Sequence, residues 1–325
     1  MMAYKFEEGK DLIIDAVVAK INEQMNPNQA PLCAEFVRQF YSTVALADLQ
    51  DWQVDDLYGA AINFWTLLQQ RRSNETKIRI YNPEYERHGW QTTHTVVEVI
   101  TEDMPFLVDS LRMAINKLNL VSHLVIHMGA FCVKRDAEDK IVEILPRGSQ
   151  QDDNLSVEAP IFIEIDRQTN PTVLDELHQN FERVLEDNRA VVEDWPLMRQ
   201  KVREMINELD KSTDFIDPEE IEETKAFLNW IEDHHFTFLG VRDYAIIEEN
   251  NETILQPLAD TGLGVLRASM SKPCARNISS MTPEARELIL SPRALVMFKT
   301  NTESTVHRHA YTDYIGIKRF NQHGQ

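Results

Sequence analysis

The residues best placed for chemistry lie in Thr101-Glu102-Asp103-Met104-Pro105-Phe106-Leu107-Val108, which joins an expected strand directly to an expected helix. Asp103 is read as the helix cap, and Pro105 sits in the first turn, where its missing N–H costs nothing. The positive end of the helix dipole then faces the loop and favours a carboxylate or other anion there. Two readings follow for Glu102, Asp103, Met104, Pro105 and Phe106. One is plain helix capping; the other is a small-molecule pocket shared with a second copy of the same unit.

Histidines supply the next candidates. His123 and His127 are four residues apart, the zinc spacing of a helix, but on a strand rising about 3.3 Å per residue they stand roughly 13 Å apart on one face. A shared metal is therefore not expected, and a ladder on the sheet surface is. His307 and His309 are expected on one strand face about 7 Å apart. With Arg308 and Arg276 they make a small basic cluster, either a solvated surface or an anion or domain-contact site. His234-His235 abuts a helix end and is read as interacting with its dipole. The glycine pair of Gly262-Leu263-Gly264-Val265-Leu266-Arg267 has Arg267 where a dinucleotide fingerprint needs its third glycine. No GxxxxGK[ST], HExxH or GxSxG occurs, so no catalytic residue and no metal site is named, and an independent small enzyme has no motif behind it.

The elements that must position these residues are legible as periodicities. Leu12, Ile13, Val17, Val18 and Ile21 recur at helical spacing and stop at Asn26-Pro27-Asn28. A second helix follows Pro31, and a third runs from about 51 to 71 with Leu57, Ala61, Phe64, Trp65 and Leu68 on one face. Phe64 and Trp65 are read as helix-packing core. From Lys77 the pattern changes: 77–81 and 93–100 alternate as strands, 104–118 is helical, 121–133 is β-like, and 140–145 is its hairpin partner across Asp136-Ala137-Glu138-Asp139. Residues 160–165 form another strand, and a long helix runs from Pro171 to Leu209 with a possible break at Pro196. An acidic linker at 210–220 precedes a helix over 221–233 and strands at 236–241, 244–247, 295–299 and 314–320.

The fold class is therefore α+β: N-terminal helices (1–75), a βαββαβ ferredoxin-like sandwich (76–210), and a linker helix leading into a mixed α/β unit (211–325) that looks truncated. Composition agrees with a folded chain. Of the 325 residues, 43% are hydrophobic, and 33 Lys and Arg face 53 Asp and Glu for a net charge of −20. With no dense basic stripe, nucleic acid and anionic membrane surfaces are not expected partners. Three scattered cysteines make neither a disulfide framework nor a CxxC motif, there is no apolar leader, and a cytoplasmic location is expected.

Asp103-Met104-Pro105-Phe106-Leu107-Val108 resembles the D-x-P-G-L-L signature of ACT domains, the amino-acid-sensing modules of metabolic enzymes. A narrower resemblance is carried by the run 97–110, by His123-Leu124-Val125-Ile126-His127, Phe236-Thr237-Phe238-Leu239-Gly240 and Thr261-Gly262-Leu263-Gly264, and by Ser304-Thr305-Val306-His307-Arg308 with Tyr314-Ile315-Gly316. These phrases are similar to the N-terminal region of the large bacterial NAD-specific glutamate dehydrogenases. The resemblance implies ACT-like and PAS-type domains ahead of a distant catalytic domain of the same chain, which would use NAD to deaminate glutamate. It also implies a homo-oligomer and an amino-acid effector, while this fragment itself holds no cofactor. The alternative is a free-standing amino-acid-sensing module. One departure is Phe106, where ACT domains carry glycine; a bulky side chain there fills space that a ligand's backbone atoms need.

Overall fold

The computed structural model describes residues 2–149, 155–210, 216–249, 252–267 and 276–319, with side chains for all of these except 2–8, 276, 277 and 285. The chain divides into two compact units, 1–182 and 183–325.

The first unit opens with α1 (Met2–Gln24), α2 (Ala30–Ser42), α3 (Leu46–Gln50) and α4 (Val54–Leu68). These are followed by β1 (Lys77–Tyr81), the one-turn α5 (Tyr85–His88), β2 (Thr95–Glu102), α6 (Leu107–Lys117), β3 (Ser122–His127), β4 (Phe131–Arg135), β5 (Ile141–Leu145) and β6 (Leu155–Ile165). The long helix α7 (Pro171–Leu209) begins in this unit. The strands form one antiparallel sheet in the order β1-β2-β6-β4-β5, and β3 also pairs with β6. β3 lies against residues 161–165 of β6 and β4 against 155–158, so the two run end to end beside one partner. The break between them falls at 128–130, where Ala130 takes a left-handed φ of 53°. The edge place beside β2 is held by β1, the strand with which the 76–210 unit opens.

One continuous core joins the N-terminal helices to this sheet. It runs from Val17, Phe36, Phe40, Phe64 and Trp65 to Val96, Ile100, Ile126, Phe131 and Phe162. Phe162 meets Phe40, Phe64 and Trp90 with ring centroids 6.0, 6.2 and 6.4 Å away. Burying a side chain of that size is worth about 1.5–3 kcal/mol. The strands alternate, so Val97, Val99, Ile161 and Ile163 point to the opposite face and are equally buried. α6 adds the buried stripe Leu107, Leu111, Ala114 and Ile115. Phe64 and Trp65 are core residues, as their spacing indicates.

The second unit continues along α7, which passes Pro196 without ending. It adds α8 (Pro218–Trp230), β7 (Gly240–Val241), β8 (Tyr244–Glu249), β9 (Glu252–Pro257), β10 (Leu263–Gly264), β11 (Arg276–Asn277), α9 (Pro283–Leu290), β12 (Leu295–Glu303) and β13 (Tyr311–Ile317). Asp217 caps α8 by accepting from the Glu219 amide at 2.9 Å. The described strands group as β7 with β10, β8 with β9 and β11, and β12 with β13. Val202, Leu209, Ile221, Leu228, Ile231 and Ala294 form the core.

Candidate functional site

The loop between β2 and α6 is anchored by its first residue. The Glu102 carboxylate accepts from Arg71 Nη1 at 2.8 Å and from the Asn74 amide at 2.8 Å. Arg71 is buried, and its Nε lies 3.4 Å from Glu158, which is fully enclosed on β6. Glu158 also accepts two bonds from Arg135, at 2.8 and 2.9 Å, and Arg135 in turn donates to the carbonyls of Leu68, Gln69 and Asp139. Two arginines and two glutamates thus tie the end of α4 to β2, β4 and β6. A buried charge is tolerated when it is paired and hydrogen-bonded in this way. The sheet positions Glu102 for this network, which answers to neither sequence reading of the residue.

Asp103 is not the helix cap. Its amide donates to Val157 O at 3.0 Å, extending the β2–β6 ladder by one residue, and its side chain is exposed. α6 begins later, with Phe106 at the N-cap in a left-handed conformation (φ 72°) and no side-chain cap. Pro105 precedes the helix. Glycine adopts this backbone conformation at no steric cost, whereas an L side chain pays about 1–2 kcal/mol. Glycine would take this backbone conformation without that cost, and Phe106 holds it with strain. Met104 and Phe106 are half-buried.

His127 ends β3 beside this loop, and burial depresses its pKa against the opposing pull of the Asp103 charge. Its Nε2 is buried with no hydrogen-bond partner in the structure. His123 goes elsewhere. A register irregularity between Ser122 and Leu124 displaces it, and its Nε2 lies 2.7 Å from Asp166 with its ring stacked on His94. His123 is paired with Asp166 while His127 Nε2 has no partner among the described residues, and the two form no ladder.

The basic cluster is rearranged. His307 and His309 lie in the turn between β12 and β13, not on a strand. The Ser304 amide donates to Ala310 O and closes that turn, leaving His307 left-handed at φ 75°. His309 is exposed, 3.5 Å from Glu303, and Arg308 is exposed. Arg276 contributes backbone to β11, and its side chain lies outside the described residues. The turn is held by Thr305, whose hydroxyl donates to Asp187 of α7 at 2.6 Å; burial raises the Asp187 pKa. The glycine pair has a comparable role. The Gly264 amide and the Arg267 guanidinium both donate to Asp194 of α7, at 2.7 Å and at 2.6 and 2.8 Å, and Arg267 holds the Asp194 carboxyl below its ordinary range. Among the described residues no group of three or more His, Cys, Asp or Glu is arranged to hold a metal ion. No helix described is long and apolar enough to cross a membrane.

Sequence reasoning passed over the charged residues inside apolar strands. Glu98 on β2 is fully buried, accepting from Arg79 Nε at 2.6 Å and Tyr81 Oη at 3.1 Å, and burial raises its pKa to about 7 despite Arg79. Glu164 on β6 is nearly as buried. The signal was a lone Glu in Val97-Glu98-Val99 and in Ile163-Glu164-Ile165.

An antiparallel sheet buried on both faces, with its β2–α6 loop hydrogen-bonded to β6, defines an ACT-like α+β module. The glutamate dehydrogenase ACT1 domain matches residues 36–181. Over 320 residues, 98% of its length, the chain is 32% identical to the NAD-specific glutamate dehydrogenase of Halomonas elongata, covering 20% of that protein. It is 34% identical over 306 residues to the NAD-specific glutamate dehydrogenase of Pseudomonas aeruginosa, covering 93% of this chain and 18% of that one. The chain is thus similar to the N-terminal region of large NAD-specific glutamate dehydrogenases, and it spans about a fifth of their length.

Proposed function

We propose that this chain is the regulatory and assembly region of a large NAD-dependent glutamate dehydrogenase. The whole enzyme would convert L-glutamate, NAD and water to 2-oxoglutarate, ammonia and NADH in a catalytic domain outside these residues. The observation that carries the reading is the match of nearly the whole chain to about a fifth of each relative, with the ACT1 domain inside it. In this reading β1 supplies the fourth strand of the ACT-like βαββαβ sheet, and residues 211–325 form a linker helix and a PAS-like unit. Loop 102–106 is where an amino-acid effector or a second copy would meet the fold, with Glu102 as its anchor and Asp103 and Pro105 exposed. Cluster 307–309 is a second contact for the rest of the enzyme. Regulation then requires that the effector favour one assembly state over another, since equal affinity for both shifts nothing. The test is NADH formation, followed by absorbance, with the purified chain, glutamate and NAD. No turnover is expected, and measurable turnover would refute the reading.

A further inference from the structure

At the end of the sheet opposite the β2–α6 loop, two histidines and two carboxylates meet. The His94 and His123 rings stack with centroids 4.2 Å apart and planes inclined by 21°. His94 Nδ1 lies 3.1 Å from Glu164 Oε2, and His123 Nε2 lies 2.7 Å from Asp166 Oδ1. The second Asp166 oxygen accepts from the Val121 amide at 2.9 Å, while the Asp166 amide donates to Val121 O. The four side chains come from the lead into β2, the start of β3 and the end of β6. They therefore hold together three strand ends and the turn that follows α6.

The two carboxylates differ in environment. Asp166 is about two-fifths exposed, and bonds from His123 and from the Val121 amide keep its pKa low. Glu164 is almost enclosed, its Oε1 has no hydrogen-bond partner in the structure, and burial raises its pKa against the opposing charges of His94 and His123. The other groups facing it are few. The pKa of buried Tyr41 of α2 is raised by burial and by the Glu164 charge, and the Thr92 hydroxyl, 3.4 Å from His94 Nδ1, also hydrogen-bonds Glu164 and opposes the rise of its pKa. Arg167 donates to Thr92 O, and Glu98, next along the same face, is already paired with Arg79. An enclosed carboxylate with one bare oxygen is costly to leave charged, so burial favours its protonated form.

We propose that His94, His123, Glu164 and Asp166 form a proton-operated clasp that fastens the turn after α6 and the start of β3 to the end of β6, closed when protonated and loosened as pH rises. The direction follows from Glu164. A folded-state pKa above the unfolded value gives a contribution fully present below about 4.5 and lost as pH climbs through the raised value. Asp166 has the opposite sign, and its contribution is lost only in strong acid, below its ordinary 3.8.

The experiment is amide hydrogen exchange of peptides spanning 119–127 in the full 325-residue chain, from pH 4.5 to 8.5, corrected for intrinsic rates. In the parent chain the local opening constant should rise several-fold as pH climbs above 4.5, the direction set by the raised Glu164 value; a flat profile overturns the clasp. Glu164→Gln, which is neutral at every pH, should flatten the profile to within twofold, and an unchanged slope overturns it. Glu98→Gln is the control for the other buried carboxylate on this face. If it, rather than Glu164→Gln, removes the slope at 119–127, the proposal fails. Asp166→Asn should raise opening several-fold at every pH and keep the slope; unchanged protection would remove Asp166 from the clasp and refute its four-membered form. If Glu164→Gln does not fold, His94→Asn decides: without the opposing charge of His94 the Glu164 carboxyl rises further and the slope should steepen, and a flattened slope overturns the clasp.

Discussion

Glu98 makes the stability of the first unit depend on pH around neutrality. Its carboxyl is fully enclosed on β2, and burial lifts its pKa from 4.5 to about 7 even with Arg79 and Tyr81 bonded to it. Each unit of difference between folded and unfolded states is worth about 1.4 kcal/mol, so the whole shift is on the order of 3 kcal/mol. Because the folded value is the higher one, this contribution is complete below pH 4.5 and is lost as pH rises to 7. About 2 kcal/mol of it falls between pH 5.5 and 8.5, where the unfolded chain has already released the proton and the folded one has not. Urea unfolding read by amide exchange of β1 and β2 peptides isolates this unit from residues 183–325. With a slope near 2 kcal/mol per molar for a unit of this size, the midpoint should fall by about 1 M from pH 5.5 to 8.5. Glu98→Gln should remove about 2 kcal/mol of that fall and leave only the smaller slope owed to Glu164. Equal falls for the parent and Glu98→Gln would refute the reasoning, since the proton would then be held elsewhere.

Two further outcomes are expected. Arg135→Ala leaves Glu158 enclosed with only the Ser156 hydroxyl at 3.0 Å and the longer contact to Arg71, and should cost about 3 kcal/mol in thermal or urea unfolding of the first unit; a loss below about 1 kcal/mol would show the network to be dispensable. Phe106→Gly and Phe106→Ala remove the same ring, but only glycine relieves the left-handed backbone. The glycine variant should therefore be about 1 kcal/mol the more stable, measured as a difference in melting temperature.

The strands and helices of the first unit were legible where their apolar residues recur at strand or helix spacing. Ile78 and Ile80 alternate with charged residues, giving β1 its bounds, and Leu57, Ala61, Phe64 and Leu68 recur at helical spacing in α4. Misreadings occur where hydrogen bonds between distant segments override local cues. Asp103-Met104-Pro105 has the composition of a helix start, but the Asp103 amide is claimed by Val157, 54 positions further on, so the chain turns only at Phe106. His307 and His309 follow a strand-like alternation, yet Thr305 is drawn to Asp187 and the backbone turns. β9 went unseen because Gln256 and Pro257 break its apolar pattern, though the pairing with β8 is complete. The candidate loop was legible as a position, while the role of Glu102 was not, since its partner Arg71 lies 31 residues upstream.

The shared core of α1–α4 and the sheet also bears on where this protein can be cut and recombined. The domain match begins at residue 36, inside α2, and so leaves out α1 with Ile14, Val17, Val18 and Ile21. A graft starting at Lys77 would lose more, stripping Arg71 from Glu102 and Glu158 and leaving Phe131 and Phe162 facing water. A portable version of the module therefore starts at α1, and its helical prefix travels with the sheet as one inheritable piece.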